Sequence, residues 1–222
     1  MTLVMKGCNI IFSMSPILFD FDDVLADTLA DMLRFAQEVC DELGVEHTVI
    51  ETDLSELEVM SFATLGRACG TPDELVEEFV RRCTGKFVAR KSPPPILDGL
   101  LEVVWNLAER HVPEVVTGNT EWNVRAFLQE HGLAGCFRAV YGLEMPGSKV
   151  EKILMAESHF VEDGEMVFMV GDSLSDIRAA KDAGVKSIAV SWGHQSVGRL
   201  VGAVPDHVVR LPEELLEITK GA

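Results

Sequence analysis

Three short stretches hold most of the side chains able to do chemistry, and each closes an apolar run. Asp20-Phe21-Asp22-Asp23 ends the run that begins at Pro16, and Thr117-Gly118-Asn119 ends Val112–Thr117. Gly171-Asp172-Ser173-Leu174-Ser175-Asp176 ends Met166–Val170, while a lysine, Lys149, opens the preceding helical stretch. If these runs are strands of one parallel sheet, their ends share a rim, where ligands of such sheets bind. Asp20, Asp22, Asp172 and Asp176 then converge there with the Thr117 hydroxyl and the Lys149 ammonium. Carboxylates gathered in this way repel one another. A hard divalent cation relieves that repulsion. Mg²⁺ takes one or two carboxylates and completes its shell with water and phosphate oxygens.

Those side chains need elements to position them, and the punctuation of the chain supplies the elements. Pro16–Phe21 reads as a buried strand, and Asp27–Leu43 as an amphipathic helix stopped by Gly44. From about Glu46 to Val88 the chain is helical and acidic, with a helix start at Thr71-Pro72-Asp73-Glu74, where Thr caps and Pro takes the first position. The Lys91-Ser92-Pro93-Pro94-Pro95 segment is stiff and marks a boundary. Strands at Val112–Thr117, Phe137–Tyr141, Met166–Val170, Ser187–Val190 and His207–Val209 follow. They alternate with helices at Leu100–Arg110, Thr120–His131, Val150–His159, Ser173–Ala183 and from Pro212. Such alternation predicts an α/β fold, a Rossmann-like parallel sheet with helices on both faces. A small all-α domain spanning 28–92 is inserted into the core formed by 1–27 and 93–222.

Composition narrows the classes of function. The 222 residues carry 36 acidic against 19 basic side chains, a net charge of −17. That balance excludes a nucleic-acid partner and an anionic membrane surface, and no apolar run is long enough to span a bilayer. Cys8, Cys40, Cys69, Cys83 and Cys136 form no CxxC pair, which fits reduced thiols in a cytoplasmic protein. Met1–Ser15 reads as a leader before the first strand, with Met14 an alternative start. No dinucleotide or P-loop fingerprint is present, so no nucleotide cofactor is expected.

DFDDVL, VVTGN, a later lysine and VGDSLSD, in this order, resemble the four signature motifs of the haloacid dehalogenase superfamily. The similarity runs from Ile17 through AAKDAGVKSIAVSWG and is narrower still to the phosphoglycolate phosphatase-like members with a helical cap. It implies a Mg²⁺-dependent phosphatase acting on a small phosphorylated metabolite, as a monomer or homodimer. In that scheme Asp20 is the nucleophile and Asp22 the general acid and base. Thr117, Gly118, Asn119 and Lys149 meet the phosphoryl group. Asp20, Asp172 and the backbone carbonyl of Asp22 hold the metal, with Asp176 supporting it directly or through water.

The residues leave some readings open. Lys152 lies one turn from Lys149 and is an alternative cation. Asp172 and Asp176 also suit an N-cap and a first-turn acid. Asp23 stands where the family usually has glycine and is expected to face solvent. His194, in Ser191-Trp192-Gly193-His194, is read as a loop residue. Arg67, Arg81, Arg82 and Lys86 are read as solvated, with contact between one of them and an anionic substrate as the alternative, and the acidic Glu51–Glu58 stretch is read as a solvated helix face. A phosphosugar mutase shares every core motif, and a binding or regulatory protein that kept the fold is the non-enzymatic alternative. Dehalogenation is disfavoured, because it does not use the second carboxylate of the Asp20/Asp22 pair.

Overall fold

A computed structural model describes residues 15–90, 92–160 and 166–221. Six strands, β1 (Pro16–Phe19), β2 (Val112–Val116), β3 (Val140–Tyr141), β4 (Phe168–Gly171), β5 (Lys186–Val190) and β6 (His207–Val209), form one sheet. All pairings are parallel, in the order β3-β2-β1-β4-β5-β6. The order reverses between β1 and β4, so a crevice opens beyond the carboxyl ends of those two strands. Asp20 leaves β1 there, and Asp172 leaves β4.

Burial on both faces explains the continuous apolar runs. Ile17, Phe19, Val115, Phe168, Val170, Ile188 and Val190 face one core. It is closed by α5 (Leu100–Ala108), α6 (Glu121–Glu130) and α10 (Glu214–Ile218). Leu18, Val116 and Met169 face the other, beneath α7 (Lys149–Ser158) and α8 (Leu174–Ala183). Between β1 and β2 lie α1 (Leu29–Leu43), α2 (Glu51–Ser55), α3 (Phe62–Ala68) and α4 (Val76–Val88). These helices bury Met32, Ala36, Val39, Leu54, Leu65, Phe79 and Cys83 in an apolar cluster of their own. The chain enters and leaves this insertion side by side: Ala26 bridges Ile96, Asp27 N donates to Pro95 O and Leu97 N to Leu25 O.

Four expectations shift. The first strand stops at Phe19, because the Phe21 carbonyl accepts from Leu25 and Ala26 N–H and curls the chain. The third strand contains only Val140 and Tyr141, the two residues that register with β2. Thr71 caps nothing; its hydroxyl is buried without a partner, and a 3₁₀ turn at Asp73–Leu75 precedes α4. A helix absent from the sequence reading, α9 (Val197–Gly202), packs Leu200 against Ile177 and Ala189. The leader and alternative start, Met1–Met14, lie outside the described residues, as does Cys8. Cys40, Cys69, Cys83 and Cys136 are free thiols, and no described helix is long and apolar enough to cross a membrane.

Candidate active site

The crevice brings the distant motifs together. Carboxylate oxygens of Asp20, Asp172 and Asp176 lie within 4.8 Å of one another. Ser173 caps α8 by accepting from Asp176 N, and Asp176 Oδ2 accepts in return from the Ser173 N–H and hydroxyl. This reciprocal cap serves the helix and at the same time fixes Asp176 one turn beyond Asp172, so the structural and chemical readings coexist. Lys149, the first residue of α7, donates to Asp176 Oδ1 at 2.5 Å and lies 3.2 Å from Asp20 Oδ2. Lys152 is elsewhere: its ammonium is buried and donates to the carbonyls of Gly142 (2.7 Å) and Thr117 (3.3 Å). It ties β2 to the loop after β3, and Lys149 is the cation that reaches the carboxylates.

Asn119 and Thr117 act as supports. The Asn119 amide donates to both oxygens of Asp22, at 3.0 and 3.2 Å, while its own oxygen accepts from Thr120 N and Asn123 Nδ2. Thr117 is buried and its hydroxyl accepts from Asn119 N. Asn119, read as a substrate contact, is therefore engaged with Asp22; Gly118 is exposed between them. Asp22 stands apart from the three-carboxylate group, which leaves only its backbone carbonyl for the metal role given to it.

Burial sets the proton affinities. It raises Asp20 to about 7, with the Lys149 charge opposing and Asp176 and Asp172 reinforcing the rise. Burial also raises Asp22, against the pull of its hydrogen bonds from Asn119. Lys149 remains a firm cation, since Asp176 and Asp20 outweigh the burial that works against its charge. A carboxyl that keeps its proton beside a reacting bond suits general acid work.

One expectation is overturned and another gains a role. Asp23 is buried at 3% exposure in the left-handed region, φ 58°, where Asp is among the tolerated residues. Its Oδ1 accepts from the Thr28 N–H and hydroxyl at the entry to α1, an interaction that turns the side chain inward. Burial, with Asp172 and Asp22 nearby, pushes it up to about 7. His194 lies in the loop after β5, as read, and there it also holds Asp172. Its backbone N–H donates to Asp172 Oδ2 at 2.9 Å, and its Nδ1 contacts the same oxygen. Burial disfavours the imidazolium, yet Asp172 holds the His194 pKa above its ordinary value. The overlooked signal was positional: Ser191–His194 leaves β5, neighbour of β4 at the same rim, and the strand-end rule applies there too. Gly193 makes the approach possible, since a Cβ on it would stand 2.2 Å from Asp172 Cβ.

The insertion touches this rim. Gln195 accepts from Leu174 N and donates to Leu57 O at 2.6 Å, and Arg199 pairs with Glu56 at 2.7 Å. Arg67, Arg81, Arg82 and Lys86 pair with Asp73, Glu78, Glu38 and Glu42 on the surface of the insertion.

The donor set suits Mg²⁺. All three clustered side chains offer hard oxygens, and a hard cation relieves both the burial of these carboxylates and the repulsion between them. A doubly wound sheet with an acidic, lysine-bridged rim at its switch point defines an α/β enzyme built for phosphoryl chemistry. The sequence profile of the haloacid dehalogenase-like hydrolases matches residues 17–190, and the chain belongs to that family. It is 27% identical over 209 residues to a phosphoglycolate phosphatase of Synechococcus elongatus, covering 92% of this chain and 96% of that one. It is 26% identical over 202 residues to the probable phosphatase IndB of Dickeya dadantii, covering 87% and 88%. A haloacid dehalogenase-like hydrolase from Streptococcus pneumoniae superposes with TM-score 0.81 at 19% identity, over 94% of this chain and 99% of that one. That last likeness concerns the fold alone.

Proposed function

We propose that the protein is a Mg²⁺-dependent phosphatase that hydrolyses a small, phosphoglycolate-like phosphate monoester through an aspartyl-phosphate on Asp20. The observation that carries this reading is Lys149, placed 3.2 Å from Asp20 and 2.5 Å from Asp176 beside the clustered carboxylates. An Asp20 oxygen attacks phosphorus as the bond to the alcohol breaks, and Asp22 gives its proton to the departing oxygen. Asp22 then takes a proton from the water that attacks phosphorus and frees Asp20. Lys149 offsets the charge of the phosphoryl oxygens, and the Thr117 hydroxyl donates to one of them. Asp20, Asp172, Asp176 and the Asp22 carbonyl would hold Mg²⁺, which supplies charge stabilisation to the transferring group. The helices of 28–92 serve as a cap that shields the site from water. His194 and Asn119 hold Asp172 and Asp22 in place.

The test is phosphate release from an aryl phosphate with Mg²⁺, in the wild type and in Asp20→Asn. A loss of at least about 10³-fold in the variant is expected. Equal rates would overturn the assignment. The same assay on phosphoglycolate, beside a panel of sugar phosphates, addresses the substrate.

A further inference from the structure

Among the described residues, three groups of side chains have the donors and spacing to hold a metal ion, and two of them share Asp172 in the crevice. The third lies wholly within the helical insertion, where ligand atoms of His47, Asp53 and Cys69 are within 4.8 Å of one another. The thiol of Cys40 adjoins them: Cys40 and Cys69 each alter the other's proton affinity, and the Asp53 charge acts on both. The four residues come from α1, the loop before α2, α2 itself and the residue that ends α3.

Their placement is held by other groups. Gln37, one turn before Cys40, donates to His47 O at 3.1 Å and accepts from Val49 N at 2.8 Å, which fixes the loop against α1. Asp53 Oδ2 accepts from Ile50 N at 2.8 Å and lies 2.8 Å from His47 Nε2. Cys40 and Cys69 are buried in the apolar cluster of the insertion, whereas the side chains of His47 and Asp53 are 29% and 15% exposed. The group is thus closed on its sulfur side and reachable from solvent on its imidazole side, which gives a metal an entry path.

We infer that Cys40, His47, Asp53 and Cys69 form a structural zinc site within the insertion. Two sulfurs and an imidazole select a softer metal than Mg²⁺, and four protein ligands complete a tetrahedral shell. Ligand atoms around Zn²⁺ stand about 3.3–3.8 Å apart, so His47, Asp53 and Cys69 need shift by only ~1 Å or less. Each thiol passes its proton to solvent as its sulfur binds the metal, a displacement the ion must drive because burial, Cys40 and Asp53 push Cys69 up to about 12. The gain is mechanical. α2 and α3 span five and seven residues, too short to be stable alone, and the metal ties both to α1. The braced segment runs on to Leu57, whose carbonyl accepts from Gln195 of the core.

This site is separate from the crevice and does not depend on the phosphatase reading. The probe is Co²⁺, added to the reduced, metal-stripped full chain with Mg²⁺ in excess. Its thiolate charge-transfer absorption reports sulfur ligation, to which the carboxylates of the crevice are silent. Wild type is expected to develop this absorption with one equivalent of Co²⁺ and to lose it to one equivalent of Zn²⁺. Free Zn²⁺ at ~100 times its dissociation constant should raise the melting temperature by about 5–10 °C. Cys69→Ala and His47→Ala should each weaken Co²⁺ uptake by more than the ~10²-fold that loss of an outer partner costs. His47→Ala leaves the buried cluster intact, and melting without metal reports the folding of every variant. Cys40→Ala should keep about half the absorption, with one thiolate in place of two. Asp20→Asn and Cys83→Ala should keep all of it. No absorption in the reduced wild type, absorption undiminished in Cys69→Ala or His47→Ala, or its loss in Asp20→Asn overturns the site. Undiminished absorption in Cys40→Ala, or its loss in Cys83→Ala with the melting temperature unchanged, overturns the set of four ligands.

Discussion

The contact between Gly193 and Asp172 offers a sharp test of how the site is positioned. A Cβ added at Gly193 would stand 2.2 Å from Asp172 Cβ and 2.3 Å from its Oδ2. Carbon atoms settle about 3.5–4.0 Å apart, so Gly193→Ala must part the two segments by roughly 1 Å or more. Asp172 has no free direction in which to move. It is 1% exposed, and its Oδ2 accepts from His194 N at 2.9 Å. Overpacking of this kind costs about 1–3 kcal/mol of stability, and a misplacement of ~1 Å costs about 10²-fold in rate. The assay is kcat/KM for an aryl phosphate across a Mg²⁺ titration, with a urea midpoint for each variant. Gly193→Ala should lose about 10²-fold and require more Mg²⁺ for half-maximal activity. Gly198→Ala in α9 is the control, because nothing lies within 4 Å of the added methyl. It should keep its activity and hold or gain up to ~1 kcal/mol of stability. If Gly193→Ala keeps activity within about threefold of wild type, the positioning argument is wrong.

Other perturbations address the remaining parts. His194→Ala should weaken Mg²⁺ binding by about 10–100-fold, read by calorimetry, because a ligand carboxylate loses the partner that orients it; unchanged affinity contradicts the support role. Lys149→Met should reduce kcat by about 10²-fold or more. Lys152→Met should instead lower the melting temperature, since it strips a buried donor from the Thr117 and Gly142 carbonyls; the reverse pattern would exchange the two lysines. Without Mg²⁺, stability should fall as pH rises from about 5.5 to about 8, by about 2 kcal/mol for each carboxyl raised to about 7. The sign follows from the raised folded-state affinities of Asp20 and Asp23: their protonated forms favour the fold, and this contribution is lost as pH climbs through 7. His194, also raised, acts in the same direction. Asp206, lowered to about 2, acts below this window. A urea midpoint that is flat or rises with pH contradicts the account.

The sheet was legible because a parallel strand buried on both faces writes itself as an uninterrupted apolar run, and MVFMV and PILF do so. The rim residues were legible for a related reason: chemistry sits where those runs stop. Asp20, Thr117, Asp172 and Asp176 fall there by position alone. What sequence did not reveal depends on contacts across space. The choice between Lys149 and Lys152, one turn apart, rests on which face of α7 meets the crevice and which meets β2. Asp23 looked like a solvated turn residue, and only the Thr28 N–H and hydroxyl, five positions later, draw it inside. His194 needed knowledge that β5 lies beside β4.

The central claim is that Asp20 accepts the phosphoryl group covalently. It is tested most directly by quenching the enzyme during turnover of a phosphate ester with Mg²⁺, reducing with borohydride and locating the modified residue by mass spectrometry. An acyl phosphate on Asp20 is reduced to homoserine, so the account predicts homoserine at position 20 and none in Asp20→Asn. Steady turnover with position 20 unmodified, or with the modification on another carboxylate, would contradict it.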